Sequence, residues 1–219
     1  MEKYKAFIFD LNGTMIDDMR YHIDAWHNLF NKMNAGISWD ETRFQCYGKN
    51  HEMLERVFPG RFTEEEKDKI SMEKEKQYRE RFEPQLRLVD GLDIFLGKAK
   101  KQGIKIGIGS AAMMMNIDFV LDGLDIRHYF DAIVSADDVP AGKPDPGIFL
   151  KCAEELVTDP SECLVFEDSP MGTEAAKNAG MDAVVLTTLH EPWEFKPGTI
   201  ISFAKDFTGN LYHSIEMNS

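Results

Sequence analysis

A short apolar run stops at an acid near the start of this chain: Ala6-Phe7-Ile8-Phe9, then Asp10, inside the stretch Tyr4 to Asp18. Four apolar residues in succession, without the polar alternation of a half-exposed strand, suit a strand buried on both faces of a parallel sheet. Asp10 then sits at the C-terminal end of that strand, just ahead of Gly13 and Thr14, in the crevice where open α/β sheets bind ligands. Taken alone, the same Asp reads equally well as a cap before a turn.

The pattern returns later in the chain. Asp90 to Lys101 has the spacing of a helix that Gly103 stops, and Ile104 to Gly109 reads as a strand ending at Ser110. A helix carrying Met113, Ile117, Val120 and Leu121 follows, then a strand over Ala132 to Ser135 and a Gly/Pro-punctuated loop to Lys143. Asp145 is a candidate N-cap with Pro146 at the first helical position. Cys163 to Phe166 reads as a strand ending at Glu167 and Asp168. Gly172, Ala175, Ala176 and Ala179 then give a helix with a small-residue face, and Asp182 to Thr187 and Thr199 to Phe203 supply further strands. This alternation predicts an α/β fold, a doubly wound, Rossmann-like parallel sheet.

Between the first strand and the rest lies a different kind of sequence. Met19, Ile23, Trp26, Leu29, Phe30 and Met33 recur at helical spacing and place His22 on the same face. Thr42 to Phe58 reads as a helical pair broken near Gly48. Thr63 to Glu66 is a capping box opening a charged helix that runs to about Phe82, with Glu65 and Lys69, and Glu75 and Arg79, at i, i+4 spacing. Lys74 falls on that helix's sparse apolar stripe, four residues from both Ile70 and Tyr78, where a lysine either snorkels or points at an anion. Residues 16–87 are therefore predicted to form an inserted helical cap domain, and residues 1–15 and 88–219 an α/β core.

Several predicted strands thus end in functional groups at one edge: Asp10, Ser110, Glu167 and Asp168, with Lys143 on a nearby loop. Each alone is ordinary, as a turn residue, an N-cap or a surface cation. Together they supply what phosphoryl transfer needs, because Mg²⁺ takes carboxylate and carbonyl oxygens and leaves room for a phosphate oxygen. Asp10 and Asp168 fit as carboxylate ligands, Asn12 through its backbone carbonyl, and Glu167 as a direct ligand or a partner of one. Lys143 and the Ser110 hydroxyl are suited to hold the transferring oxygens.

Asp10-Leu11-Asn12-Gly13-Thr14 resembles the Asp-x-Asp-Gly-Thr signature of the haloacid dehalogenase-like superfamily. Gly107 to Ser110, Lys143 to Pro146 and Phe166 to Gly172 fit its remaining motifs in order. The resemblance spans essentially the whole chain and leans toward the β-phosphoglucomutases and related sugar phosphatases. It implies that Asp10 is a covalent nucleophile forming an aspartyl-phosphate, with Ser110, Ala111 and Lys143 around the phosphate. It also implies that His22 touches substrate; the cap cations Lys49 and Lys74 are expected to face it as well, with Asp18 a further candidate contact. In related mutases an Arg three residues after the Gly of the cap loop grips a distal phosphate; His51 stands there in this chain.

The main departure is Asn12, where the family usually has a second Asp that protonates the leaving oxygen. An amide donates a hydrogen bond but exchanges no proton at neutral pH. Asp18, His22 and His51 are the candidates to replace it. The leading expectation is a Mg²⁺-dependent phosphatase acting on a small phosphorylated metabolite, a sugar phosphate above all. A β-phosphoglucomutase-like mutase and a phospho-ligand-binding protein without turnover remain as alternatives.

Composition narrows the partners. With 219 residues and 43% hydrophobic content there is ample material for a core, and a formal net charge of −13 disfavours nucleic acid. No apolar run is long enough to span a bilayer, so a cytoplasmic monomer without membrane association is expected. Cys46, Cys152 and Cys163 are widely spaced, suggesting neither a disulfide framework nor a zinc site.

Overall fold

A computed structural model describes residues 3–209 and 211–217. The chain divides into two compact units, one made of Met1–Asp17 and Arg87–Ser219, the other of Asp18–Leu86. In chain order, β1 (Ala6–Phe9) is followed by α1 (Met19–Lys32), α2 (Trp39–Gln45), α3 (Asn50–Val57) and α4 (Glu64–Phe82). Then come α5 (Leu92–Lys101), β2 (Lys105–Gly109), α6 (Met114–Gly123), β3 (Ala132–Val134), α7 (Gly147–Glu155), β4 (Cys163–Glu167), α8 (Pro170–Asn178), β5 (Asp182–Leu186), β6 (Ile200–Ala204) and α9 (Leu211–Met217).

The first unit is a parallel sheet in the order β3-β2-β1-β4-β5-β6, six strands among the described residues, as the β/α alternation requires. Strand order reverses between β1 and β4, which is where a crevice opens at the C-terminal edge. All four residues of β1 are buried, which accounts for their lack of polar alternation. Their side chains divide by the strand period of two. Phe7 and Phe9 join Phe95, Phe166 and Phe207 on one face, with Phe9 stacked on Phe166 at 4.5 Å between centroids. Ala6 and Ile8 enter a second cluster with Val134, Phe149, Cys152 and Val165. Gly107 allows α7 to approach, since a Cβ there would lie 2.5 Å from the Cys152 sulfur.

The register sets the site. Phe9 lies opposite Ile108 on β2 and Phe166 on β4, so the residues that follow these three strands emerge at nearly the same level. The start of α7 differs from the sequence reading: the helix begins at Gly147 with Pro146 as N-cap, and the Asp145 carboxylate accepts the Gly147 N–H at 2.8 Å. Asp145 still satisfies an open helical N–H, one position later than the residue pattern suggested.

The second unit is helical. Trp26, Leu29, Phe30, Met53, Leu54 and Phe58 form its core. The capping box at Thr63 and Glu66 opens α4. A second box at Ser38 and Glu41 starts α2 at Trp39, three residues ahead of the predicted Thr42. α4 buries Lys67, Ser71, Lys74, Glu75, Tyr78 and Phe82, so its inner face is largely polar. Among the described residues no helix is long and apolar enough to cross a membrane.

Candidate active site

At the C-terminal edge of the sheet, Asp10, Lys143, Glu167 and Asp168 are each 6% exposed or less. Asp10 follows β1 and is tied to the sheet by its N–H to the Phe166 carbonyl, 2.9 Å. Lys143 comes in from the loop between β3 and α7. Its ammonium lies 2.5 Å from Asp10 Oδ1 and 2.7 Å from Glu167 Oε1, and 4.7 Å from the centre of the Phe149 ring. Burial pulls this lysine's pKa down, but the two carboxylates outweigh burial and raise it above the ordinary lysine value. Lys143 is a fixed positive charge.

Two local devices hold that lysine's loop. Asp138 accepts the Ser135 N–H and hydroxyl at 2.9 and 2.7 Å, and Asn178 on α8 donates to the Pro144 carbonyl at 3.1 Å. Glu167 is held as firmly. Its Oε2 accepts the backbone N–H groups of Asp168 and Ser169, both at 2.8 Å, and the Ser169 hydroxyl at 2.9 Å, while Oε1 faces Lys143. The carboxylate thus folds over the first turn of α8, and a Cβ at Gly172 would collide with it. Gly172 is needed for close approach. Ser110, 1% exposed, accepts the Ala112 N–H on its hydroxyl at 3.2 Å, with the half-buried Ala111 between them.

Asp10, Glu167 and Asp168 each offer a carboxylate oxygen, and the three oxygens lie within 4.8 Å of one another. Three buried carboxylates against one ammonium leave an excess of negative charge that a small divalent cation would offset. The donors are all hard oxygens, so the residues present fit Mg²⁺ rather than a soft metal.

The loop after β1 carries Asn12 and turns back on itself: Asn12 bridges to Ile16, and the Gly13 N–H meets the Ile16 carbonyl at 2.8 Å. Thr188, which the sequence reading passed over, donates its hydroxyl to the Gly13 carbonyl at 2.6 Å. A threonine just past a strand carries no signal of such a role, because the contact joins residues 175 positions apart.

The helical unit holds the remaining predicted residues. Lys74 donates to His22 Nδ1 at 2.5 Å and lies 3.0 Å from Glu75 Oε1, which also accepts the Asn50 side chain at 2.7 Å. An ammonium has only donors, so His22 Nδ1 is the acceptor and the ring proton is on Nε2, facing Asp18 Oδ2 at 3.2 Å. Tyr78 donates to the same oxygen at 2.5 Å and stacks on His22. Burial first, and the Asp18 charge second, push the Tyr78 pKa far above the usual phenol value. Asp18, His22 and Lys74 are therefore one buried network, completed by Glu75, Tyr78 and Asn50. From the sequence, Glu75 is expected only to pair with Arg79, Tyr78 only marks the apolar stripe, and Asn50 carries no signal of a role.

His51 and Lys49 lie elsewhere in that unit. The His51 ring nitrogens face Glu64 Oε2 at 3.0 Å and Asp68 Oδ1 at 2.9 Å, both on α4. Lys49 is the N-cap residue of α3, its N–H bonded to Glu52 Oε2 at 2.8 Å.

Residues 7–186 match the family model described as haloacid dehalogenase-like hydrolase. The chain is 32% identical over 219 residues to the β-phosphoglucomutase of Bacillus subtilis (strain 168), covering 87% of this chain and 96% of that protein. It is 30% identical over 185 residues to a fructose-1-phosphate phosphatase of Escherichia coli (strain K12), covering 84% and 96%. Among solved structures, the β-phosphoglucomutase of Clostridium difficile superimposes with a TM-score of 0.85 at 28% identity, over 98% of this chain and 96% of that one. The chain belongs to the haloacid dehalogenase-like hydrolase family, as an enzyme of its β-phosphoglucomutase and sugar-phosphatase branch.

Proposed function

We propose that this enzyme is a Mg²⁺-dependent phosphatase acting on phosphorylated carbohydrates through an aspartyl-phosphate on Asp10. The observation that carries the reading is the buried Asp10–Lys143–Glu167 chain of ion pairs with Asp168 beside it. A carboxylate nucleophile, a fixed cation and a second carboxylate at one sheet edge are the parts that phosphoryl transfer needs. The sugar-phosphate activities named for the relatives supply the substrate class.

Asp10, Asp168 and the Asn12 backbone carbonyl would hold the cation, with Glu167 orienting Lys143 and the first turn of α8. When bound, Mg²⁺ offsets the repulsion between the attacking carboxylate and the phosphate. An Asp10 oxygen attacks phosphorus and the bond to the sugar oxygen breaks. Lys143 and the Ser110 hydroxyl, with Ala111 beside it, stabilise the charge on the transferring oxygens. Water then attacks the phosphorus of the acyl phosphate, releasing inorganic phosphate and restoring Asp10. Asn12 donates a hydrogen bond but no proton, so the departing sugar oxygen takes its proton from solvent, the attacking water returns one to solvent, and the sugar leaves most readily when its oxygen needs little protonation. In the helical unit, Asp18, His22, Lys74 and Lys49 are the proposed contacts to the sugar. His51, whose ring nitrogens face α4 carboxylates, is proposed with them.

A phosphosugar mutase is the second reading, favoured by the likeness to β-phosphoglucomutases. Incubation with Mg²⁺ and a panel of hexose and hexitol phosphates, following free phosphate and isomerised sugar together, separates the two. Stoichiometric free phosphate supports the hydrolase and isomer without phosphate supports the mutase. Neither product, with ligand-induced thermal stabilisation, would overturn both.

A further inference from the structure

We propose that Thr188 is a positioning residue of the phosphoryl-transfer site, its hydroxyl holding the loop after β1 in the shape that presents the Asn12 carbonyl. The link to Mg²⁺ rests on the reading of the site given above; the bracing of the loop stands on geometry alone. Thr188 lies two residues past the end of β5, and β5 is separated from β1 by β4. The bond from Thr188 Oγ1 to the Gly13 carbonyl, 2.6 Å, therefore spans the end of the strand that carries Glu167 and Asp168.

Gly13 is the weak point of this loop. Its φ is +77°, a conformation open to glycine at little cost, and glycine has the widest choice of torsions of any residue. A carbonyl and the next N–H share one peptide plane. The Gly13 N–H, bonded to the Ile16 carbonyl at 2.8 Å, fixes the plane that also carries the Asn12 carbonyl. The following plane carries the Gly13 carbonyl and the Thr14 N–H. On its N–H side that plane makes, among the described residues, a long contact to the Leu11 carbonyl, 3.4 Å, near the limit of a useful hydrogen bond. From its carbonyl side it is held by Thr188 at 2.6 Å. Thr188 thus places a short restraint on Gly13 ψ, and both planes flanking Gly13 carry a hydrogen bond.

Thr188→Val removes the hydroxyl at nearly constant shape, and Thr188→Ser keeps it. The two variants are compared with wild type by amide hydrogen exchange of Thr14 and Met15, by the Mg²⁺ concentration giving half-maximal thermal stabilisation, and by kcat and KM for an aryl phosphate. In Thr188→Val the loop amides should exchange about tenfold faster while those of β1 and β4 are unchanged. The half-maximal Mg²⁺ concentration should rise, and kcat fall, by about five- to tenfold with KM within about twofold, the scale of one lost hydrogen bond. Thr188→Ser should stay within about twofold throughout. Unchanged loop exchange or unchanged kcat in Thr188→Val overturns the proposal, as does equal impairment of both variants. If wild type shows no Mg²⁺ stabilisation, the metal site is refuted, while loop exchange and kcat still decide the role of Thr188.

Discussion

Lys143 and Asp10 form a buried ion pair, 2.5 Å from Nζ to Oδ1, although 133 residues separate them in the chain. The same ammonium reaches Glu167, so one cation serves two of the three carboxylates at the sheet edge. Removing it leaves those charges buried and uncompensated. Lys143→Met should therefore cost stability on the order of 3–5 kcal/mol and lower turnover by about 10²-fold or more. Thermal unfolding with and without Mg²⁺ provides the check: added cation should restore part of the lost stability. A variant as stable as wild type without metal would contradict the pairing.

Asp168 belongs to the same carboxylate group but follows β4, on the other side of the strand-order reversal from Asp10. Asp168→Ala should abolish Mg²⁺-induced thermal stabilisation and metal-dependent turnover together. Calorimetric titration that found Mg²⁺ affinity unchanged in this variant would remove Asp168 from the ligand set.

Asn12 leaves the leaving group without a carboxylic acid at the customary place. Asn12→Asp should raise turnover of alkyl sugar phosphates by about 10²-fold and change aryl or acyl phosphates far less. Steady-state rates on one alkyl and one aryl ester are sufficient. Equal gains on both would mean that the substitution acts through charge at the metal site and not through proton transfer.

Tyr78 offers a pH test inside the helical unit. Its folded pKa is raised by burial and by Asp18, so the folded state retains a proton that the unfolded chain releases near the ordinary tyrosine value of about 10. The associated stability is fully present below that pH and is lost as pH rises, by about 1.4 kcal/mol per unit. Tyr78→Phe removes this linkage along with the hydrogen bond to Asp18. The stability gap between wild type and variant should be on the order of 1–3 kcal/mol at neutral pH and close above pH 10. Denaturant melts at several pH values measure it, and a gap that stays constant into alkali would place Tyr78 in contact with solvent.

The α/β architecture was legible in the sequence, because β1 and β4 are continuous apolar runs suited to burial on both faces, β2 alternates isoleucine with glycine after Lys105, and the three lead into Asp10, Glu167 and Ser110. Residue periodicity is a local property, and it located these strand ends and the helices between Asp18 and Leu86. Pairing was left to the fold. Strand order and register bring Lys143 onto Asp10 and Glu167, and the fold carries the Thr188 hydroxyl to Gly13. The same holds in the helical unit, where the sequence sets Lys74 on the apolar stripe of α4 but leaves open whether it snorkels or meets an anion. Packing against α1 buries Lys74 beside His22, with Glu75 taking the Lys74 and Asn50 donors. A buried charge is tolerated only where a partner meets it, and partners remote in sequence become neighbours only through the fold.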